Sequence, residues 1–254
     1  MPSWLGLNFQ DSCSFSSGEL FFLHDHVMVI MFMVVILITY IMFYLLVNLK
    51  FYKFLSEGTL IETIWSMVPA FLLVILVFPS MSTLYIMEDY KFPSLTFKVV
   101  AHQWYWSYVV PLFKSLNFSL KGLGDFSFYE YDSMMEEFSD SEGFPRLLGC
   151  SSDFFMPVGV SSRLLITSTD VIHSFSLPSM SLKVDALPGR INQLFVNPSR
   201  VGLFFGQCSE ICGSNHSFMP ISVVVCSLSD FDSLGKSYLM DLMEDSLGGV
   251  DCSL

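Results

Sequence analysis

Within GQCSEICGSNHSFMP, residues 206–220, two cysteines, a glutamate, a histidine and a methionine share one short piece of chain. Three residues separate Cys208 from Cys212, His216 follows after three more, and Met219 after a further two. Two thiolates, an imidazole and a thioether match the soft-to-borderline preferences of copper, and His173, in the upstream DVIHSF, can complete the set. Zinc competes, because two cysteines and a histidine also suit a closed tetrahedral site. The methionine is the discriminator, being a poor zinc ligand. One blue-copper ion needs only one cysteine; with two, both thiolates can bridge a pair of copper ions, each capped by a histidine. An electron shared over such a pair moves with little change in bond lengths. The expected chemistry is therefore electron transfer rather than substrate binding.

Such a loop needs a scaffold, and the composition says where that scaffold sits. The chain has 254 residues, 52% hydrophobic and only 14% charged, with a mean hydropathy of +0.56, too apolar for a wholly water-exposed protein. Uncharged runs at 27–49 and 64–87 each exceed the roughly 20 helical residues that cross a hydrocarbon layer. Pro69 and Pro79 in the second are tolerated where a neighbouring helix covers them. A transmembrane hairpin is expected, with helices over 27–49 and 60–88 and a loop over 50–59. Lys50 and Lys53 in that loop, against Asp11, Glu19, Asp25 and no Lys or Arg before residue 27, place the loop on the cytosolic or matrix side. The segment 1–26 and everything after about Glu88 then lie opposite. The first run is too long for a signal-peptide core and no small-residue cleavage site follows it, so no removal is expected. Thr59 and Glu62 stand at capping-box spacing at the start of the second helix.

The net charge of −12, from 24 acids and 12 bases, favours a basic partner and disfavours nucleic acid. Cys13, Cys150, Cys226 and Cys252 have no framework spacing and read as ordinary thiols. From Phe92 onward, short apolar segments such as LTFKVVAHQWYWSYVV, SRLLITST, INQLFVN, VGLFFGQC and ISVVVCSL alternate with breakers at Pro178, Pro188-Gly189 and Asn197-Pro198. This pattern predicts an antiparallel sandwich or barrel over 89–230. Strand alternation in HQWYWSY would put Trp104 and Trp106 on one face and Tyr105 on the other. The acid- and aromatic-rich stretch at about 111–145 reads as a long loop or insertion. Phe231, Leu234, Tyr238 and Leu242 fall near one helical face, so 231–254 is expected to hold an amphipathic helix and tail.

LGLNFQDS, LHDHVMVIMF, IETIWSMVPA, HQWYWSY, DVIHSF, SLKVDALPGRINQ and GQCSEICGSNHSFMPI together resemble the cytochrome c oxidase subunit II family in its mitochondrially encoded form. The resemblance implies an N-terminal transmembrane α-helical hairpin, an all-β cupredoxin-like Greek-key domain holding the binuclear copper centre CuA, and a C-terminal amphipathic helix. It implies that Cys208 and Cys212 bridge the coppers, that His173 and Met219 complete one ion, and that His216 and the Glu210 backbone carbonyl complete the other. The Glu210 carboxylate would bind magnesium at the interface with subunit I. Electrons from cytochrome c would come in at Trp104 and pass to haem a of subunit I, where oxygen is reduced to water coupled to proton pumping. Asp170 and Tyr105 become docking residues, and Glu62 stands near the mouth of the K proton pathway.

The implied setting is the mitochondrial inner membrane, multi-pass, with both termini in the intermembrane space and with other oxidase subunits as neighbours. Few Lys and Arg, abundant Phe and Met and no presequence favour an organelle-encoded chain. The sequence also departs from the family: Val109 stands where a Glu is frequent, and Gly149 and Ser151 stand where acids are common. Glu136, Glu137 and Asp140 in the insertion are candidate replacements for that lost docking charge. Two rivals are a quinol-oxidase subunit II, whose family lacks these copper ligands, and a zinc-stabilised membrane anchor.

Overall fold

The computed structural model describes residues 7–48, 50, 54, 56–88, 92–112, 128–136 and 145–248, without the side chains of 239–248. The described residues divide between a unit drawn from Met1–Ser17 and Tyr90–Leu254 and a second drawn from Gly18–Asp89.

Helix α1 (Phe15–Val47), from Gly18 onward, and helix α2 (Thr59–Glu88) make up the second unit. At about 1.5 Å per residue each is longer than a hydrocarbon layer of roughly 30 Å. Large apolar side chains along both, among them Phe32, Leu46, Phe71 and Phe78, are exposed, an arrangement that lipid rather than water accommodates. Helix α1 starts well before the apolar run because Ser14 caps it. The Ser17 N–H donates to Ser14 Oγ at 3.1 Å and the Ser14 N–H to Ser17 Oγ at 3.2 Å, a reciprocal pair that satisfies two helix-start donors. At α2 the expected capping box is displaced by one residue. The Gly58 carbonyl accepts the first helical bond, from the Glu62 N–H at 2.9 Å, and the Glu62 carboxylate reaches the Gly58 N–H at 3.4 Å, so Gly58 rather than Thr59 is the cap.

The residues just before α1 belong to the β-rich unit. Cys13, fully buried, donates its N–H to the Ser179 carbonyl at 2.8 Å and accepts from the Ser199 N–H at 2.7 Å. Ser14 bridges Pro198 and its hydroxyl donates to the Met180 carbonyl at 3.0 Å. Arg200 donates to the Asp11 carbonyl at 2.9 Å. These bonds make residues 11–14 a strap along the domain edge.

Among the described residues ten strands follow: β1 (Leu95–His102), β2 (Tyr105–Pro111), β3 (Phe128–Ser133), β4 (Phe154–Pro157), β5 (Ser162–Ser168), β6 (His173–Leu177), β7 (Leu182–Ala186), β8 (Asn192–Val196), β9 (Gly202–Gln207) and β10 (Pro220–Cys226). They form a five-stranded sheet in the order β3-β2-β1-β5-β8, a three-stranded sheet β4-β10-β9 and the pair β6-β7. The pairing is not purely antiparallel, since β1 with β5 and β10 with β4 run parallel. Strands distant in sequence become neighbours by crossing between sheets, as a Greek-key sandwich requires. Alternate residues point inward, so Phe97, Val99 and Ala101 of β1, Leu164 and Ile166 of β5, and Ile221, Val223 and Val225 of β10 fill the core.

Two expectations are corrected. Part of the stretch read as an irregular insertion is strand β3, paired along its length with β2 from Phe128 opposite Pro111 to Ser133 opposite Trp106. Its period-2 pattern buries Tyr129 and turns Glu130 and Asp132 outward, so its acids mark one face of a strand rather than a loop. Trp104 and Trp106 do not share a strand face either. Trp104 lies in the turn between β1 and β2, whereas Trp106 is a wholly buried residue of β2.

Helix α3 (Leu228–Gly248) is capped by Ser227, whose Oγ accepts from the Asp230 N–H at 3.2 Å. Phe231 is buried on the domain and Leu234 and Tyr238 pack against its core, with the Tyr238 hydroxyl donating to the Glu130 carbonyl at 2.9 Å. The Leu242 side chain lies outside the described residues.

Candidate metal centre

The loop between β9 and β10 carries Cys208, Glu210, Cys212, His216 and Met219, and β6 opens with His173. These two pieces meet because β9 crosses β6 at Gly206, where a Cβ would stand only 2.0 Å from the Ser176 carbonyl oxygen. Two residues past the crossing, Cys208 arrives beside His173, and the Ser209 N–H donates to the Ser174 carbonyl at 3.0 Å.

Cys208 Sγ lies 4.0 Å from His173 Nδ1 and 3.3 Å from the Glu210 carbonyl oxygen. Cys212 Sγ lies 3.5 Å from His216 Nδ1 and 3.6 Å from Met219 Sδ. The donor atoms of His173, Cys208 and Cys212 all fall within 4.8 Å of one another. His173, both cysteines and Met219 are buried, while His216 is half-buried. Ligands that share an ion at bond lengths of 2.0–2.3 Å stand about 3.3–3.8 Å apart in a tetrahedral arrangement; the spacings of 3.3, 3.5 and 3.6 Å fall within that range and the 4.0 Å from Cys208 to His173 lies just beyond it. The thioether sits among the thiols rather than in an unrelated part of the core. Thiols, imidazoles, a thioether and a carbonyl on this spacing fit copper.

The polar surroundings orient the donors. His173 turns Nδ1 toward the thiols and donates Nε2–H to Asp170 Oδ1 at 2.9 Å, the outer-sphere carboxylate that fixes a ligand imidazole's tautomer and ring plane. Burial disfavours the charged His173 ring, but Cys208 and Asp170 outweigh it and raise its pKa. Asp170 is opposed by burial and still held below the usual carboxylate range by bonds from His173, the Val171 and Gln103 N–H groups and Ser168. Burial likewise opposes ionisation of Cys208, yet bonds from His173 and nearby backbone N–H groups pull its pKa down. Cys212 moves the other way, raised by burial and by the neighbouring Cys208 charge.

The other expected residues fall at different distances from the cluster. Trp104 is half-buried and packs on the ligand loop: a Cβ at Gly213 would meet its Cζ2 at 3.0 Å. Tyr105 stacks on His102, ring centroids 4.5 Å apart. Asp170, expected as a docking acid, spends both carboxylate oxygens on protein donors, Oδ2 accepting from the Gln103 N–H at 2.6 Å. The Glu210 side chain is exposed while its carbonyl faces Cys208. Glu62 is at the start of α2, in the other unit. Glu136 is exposed; Glu137 and Asp140 lie outside the described residues.

Two participants were not anticipated from sequence. Gln103 donates its side-chain N–H to the Cys212 carbonyl at 2.8 Å, and Trp106 donates Nε1–H to the Met219 carbonyl at 3.3 Å. No local pattern signals either contact, which span 109 and 113 residues. The spacing of Asp170 and His173, by contrast, was visible.

Two family descriptions match the chain: cytochrome c oxidase subunit II, periplasmic domain, over residues 95–226, and its transmembrane domain over residues 2–83. The chain belongs to the cytochrome c oxidase subunit II family. Cytochrome c oxidase subunit 2 of Branchiostoma lanceolatum is 42% identical over 251 residues, 98% of each chain. That of Branchiostoma floridae is 43% identical over 91% of this chain and 94% of its own. Among solved structures, the periplasmic domain of subunit II of cytochrome oxidase from Bradyrhizobium japonicum is 37% identical, covering 58% of this chain and 94% of that one at a TM-score of 0.48. As a member of the subunit II family, the chain couples two apolar helices to a copper-binding cupredoxin-like domain and works within an oxidase complex.

Proposed function

We propose that this chain is the electron-accepting subunit of a mitochondrial cytochrome c oxidase, taking electrons from reduced cytochrome c at a binuclear copper centre and passing them to haem a of subunit I. Oxygen is then reduced to water in subunit I, coupled to proton pumping. The observation that carries this reading is the convergence of His173, Cys208, the Glu210 carbonyl, Cys212, His216 and Met219 on one buried cluster. A copper pair supplies one-electron redox chemistry there, with His173 and Met219 assigned to one ion and His216 and the Glu210 carbonyl to the other. Cys208 and Cys212 would hold the pair through their thiolates. The chain's own part is to hold the donors in place: Asp170 keeps the proton of His173 on Nε2, and the buried thiols and Met219 exclude water from the ligand sphere. With no donor left open, the site is suited to passing charge on.

Glu210 connects two tasks in this reading, its carbonyl facing copper and its exposed carboxylate offering magnesium a hard oxygen ligand where subunit I docks. Trp104, on the ligand loop, receives the electron. Glu136, Glu137 and Asp140 give the basic partner its docking charge, a contribution that acts on association rate and weakens with salt, while Tyr105 offers it a neutral contact and Asp170 adds only the long-range field of a carboxylate already bonded within the domain. The membrane is the mitochondrial inner membrane, with Lys50 and Lys53 in the matrix loop and both termini in the intermembrane space.

The purified oxidase is expected to carry two coppers in this subunit and a delocalised mixed-valence electron-spin spectrum. A single blue-copper signal, or stoichiometric zinc without copper after copper loading, refutes the reading. For Glu62, the matrix-side position implies proton uptake for the K pathway. Glu62→Gln is expected to slow oxygen consumption while leaving the rate of copper reduction by cytochrome c unchanged. If only the unfolding temperature falls, with turnover per folded enzyme intact, Glu62 serves as a helix cap alone.

A further inference from the structure

Gln103 sits at the turn between β1 and β2 and is bonded at both of its ends. Its backbone N–H donates to Asp170 Oδ2 at 2.6 Å, and Oδ1 of the same carboxylate holds His173 Nε2 at 2.9 Å. Its side-chain amide donates to the Cys212 carbonyl at 2.8 Å. One residue thus touches both pieces of chain that lead to metal donors, the β5–β6 connection through Asp170, which holds His173, and the β9–β10 loop at Cys212.

The next residue, Trp104, rests on the same loop. At Gly213, where φ is +131°, a Cβ would stand 3.0 Å from Trp104 Cζ2 and 3.3 Å from Gln103 Nε2. The glycine therefore serves two needs, a backbone conformation that side chains rarely adopt and the close approach of the turn. Trp104 Nε1 is buried and finds no acceptor among the described residues, so the indole contributes no hydrogen bond of its own to hold it there. The polar grip on this turn comes from Gln103.

We propose that Gln103 is a positioning residue for electron transfer: it clamps the β1–β2 turn onto the ligand loop, fixing Trp104 against Gly213 and tying the His173 segment to the Cys212 segment. This inference rests on the copper-centre reading and assigns a task to a side chain that is not itself a ligand. Removing the amide takes away one donor and leaves the Cys212 carbonyl without it, while all six metal donors stay in place.

The test uses the assembled oxidase carrying Gln103→Leu, with Gln103→Glu as a second variant whose carboxylate matches the amide in length but cannot donate when ionised. Both are expected to retain two coppers and the mixed-valence spectrum. The first-order rate of copper reduction at saturating cytochrome c should fall, and copper release to a chelator should accelerate, each by about two- to tenfold, the fold-change corresponding to the net worth of one hydrogen bond. The second-order association rate should not change. Gly213→Ala, which presses on Trp104 from the loop side, should slow the same first-order step even if a Gln103 variant fails to assemble. A copper-loaded parent whose Gln103 variants match it in first-order rate and copper release overturns this inference alone. So does a defect confined to association, which would make Gln103 a partner contact. A parent without copper overturns both this inference and the reading beneath it.

Discussion

Gly206→Ala is expected to destabilise the β-domain by at least about 3 kcal/mol, the upper end of the range for overpacked sites, and to deplete the oxidase of copper. The added methyl would stand 2.0 Å from the Ser176 carbonyl oxygen and 3.1 Å from its carbon. Both are backbone atoms of β6 and cannot rotate aside as a flexible side chain would. Relief requires β9 to move from β6, and the two residues beyond Gly206 lead directly to Cys208, whose partner His173 opens β6. The predicted loss is thus double, in unfolding temperature and in copper per subunit, and both are measurable on the purified complex. Parent-like values for the two would mean that β6 and β9 do not approach this closely in the protein.

Cys212→Ser is expected to abolish the mixed-valence signal and electron uptake from cytochrome c while leaving the fold assembled. Serine nearly preserves the volume of a buried side chain but replaces a soft sulfur with a hard, weakly acidic hydroxyl. Cys212 Sγ also faces both His216 Nδ1 and Met219 Sδ, so its loss removes a contact for two other donors. The loss of copper affinity should exceed the roughly 10- to 100-fold penalty of losing an outer-sphere partner. Copper analysis and electron-spin spectra of the variant decide the point. Retention of the delocalised signal would exclude Cys212 as a bridging ligand.

Legibility from sequence followed the reach of each contact. The ligand loop could be read because its donors lie within residues 208–219 and their chemical types suit few other uses. His173 could be proposed as a completing ligand, but what brings it to the loop is the bare Gly206 crossing, which no local pattern announces. The two spans were evident from apolar runs alone, yet α1 begins at Phe15 because a pair of serines outside the run closes its first turn. Strand β3 was obscured by its acids, although Tyr129 and Tyr131 alternating with Glu130 and Asp132 carried the period of a half-buried strand. The parallel pairs could not be foreseen, because direction is set by crossovers between sheets and not by alternation within a strand.

The strap formed by residues 11–14 imposes an order on biosynthesis. Ser14 is made 166 residues ahead of Met180, whose carbonyl it must bind, and the partners at Pro198, Ser199 and Arg200 emerge later still. In between, the ribosome produces both apolar helices. The nascent N-terminal segment therefore waits without its partners until most of the β-domain has been synthesised, and only then can the bonds close. Burial of Cys13 is thus a late event, and the accessibility of that thiol to an alkylating reagent dates the docking of the strap onto the finished β-domain.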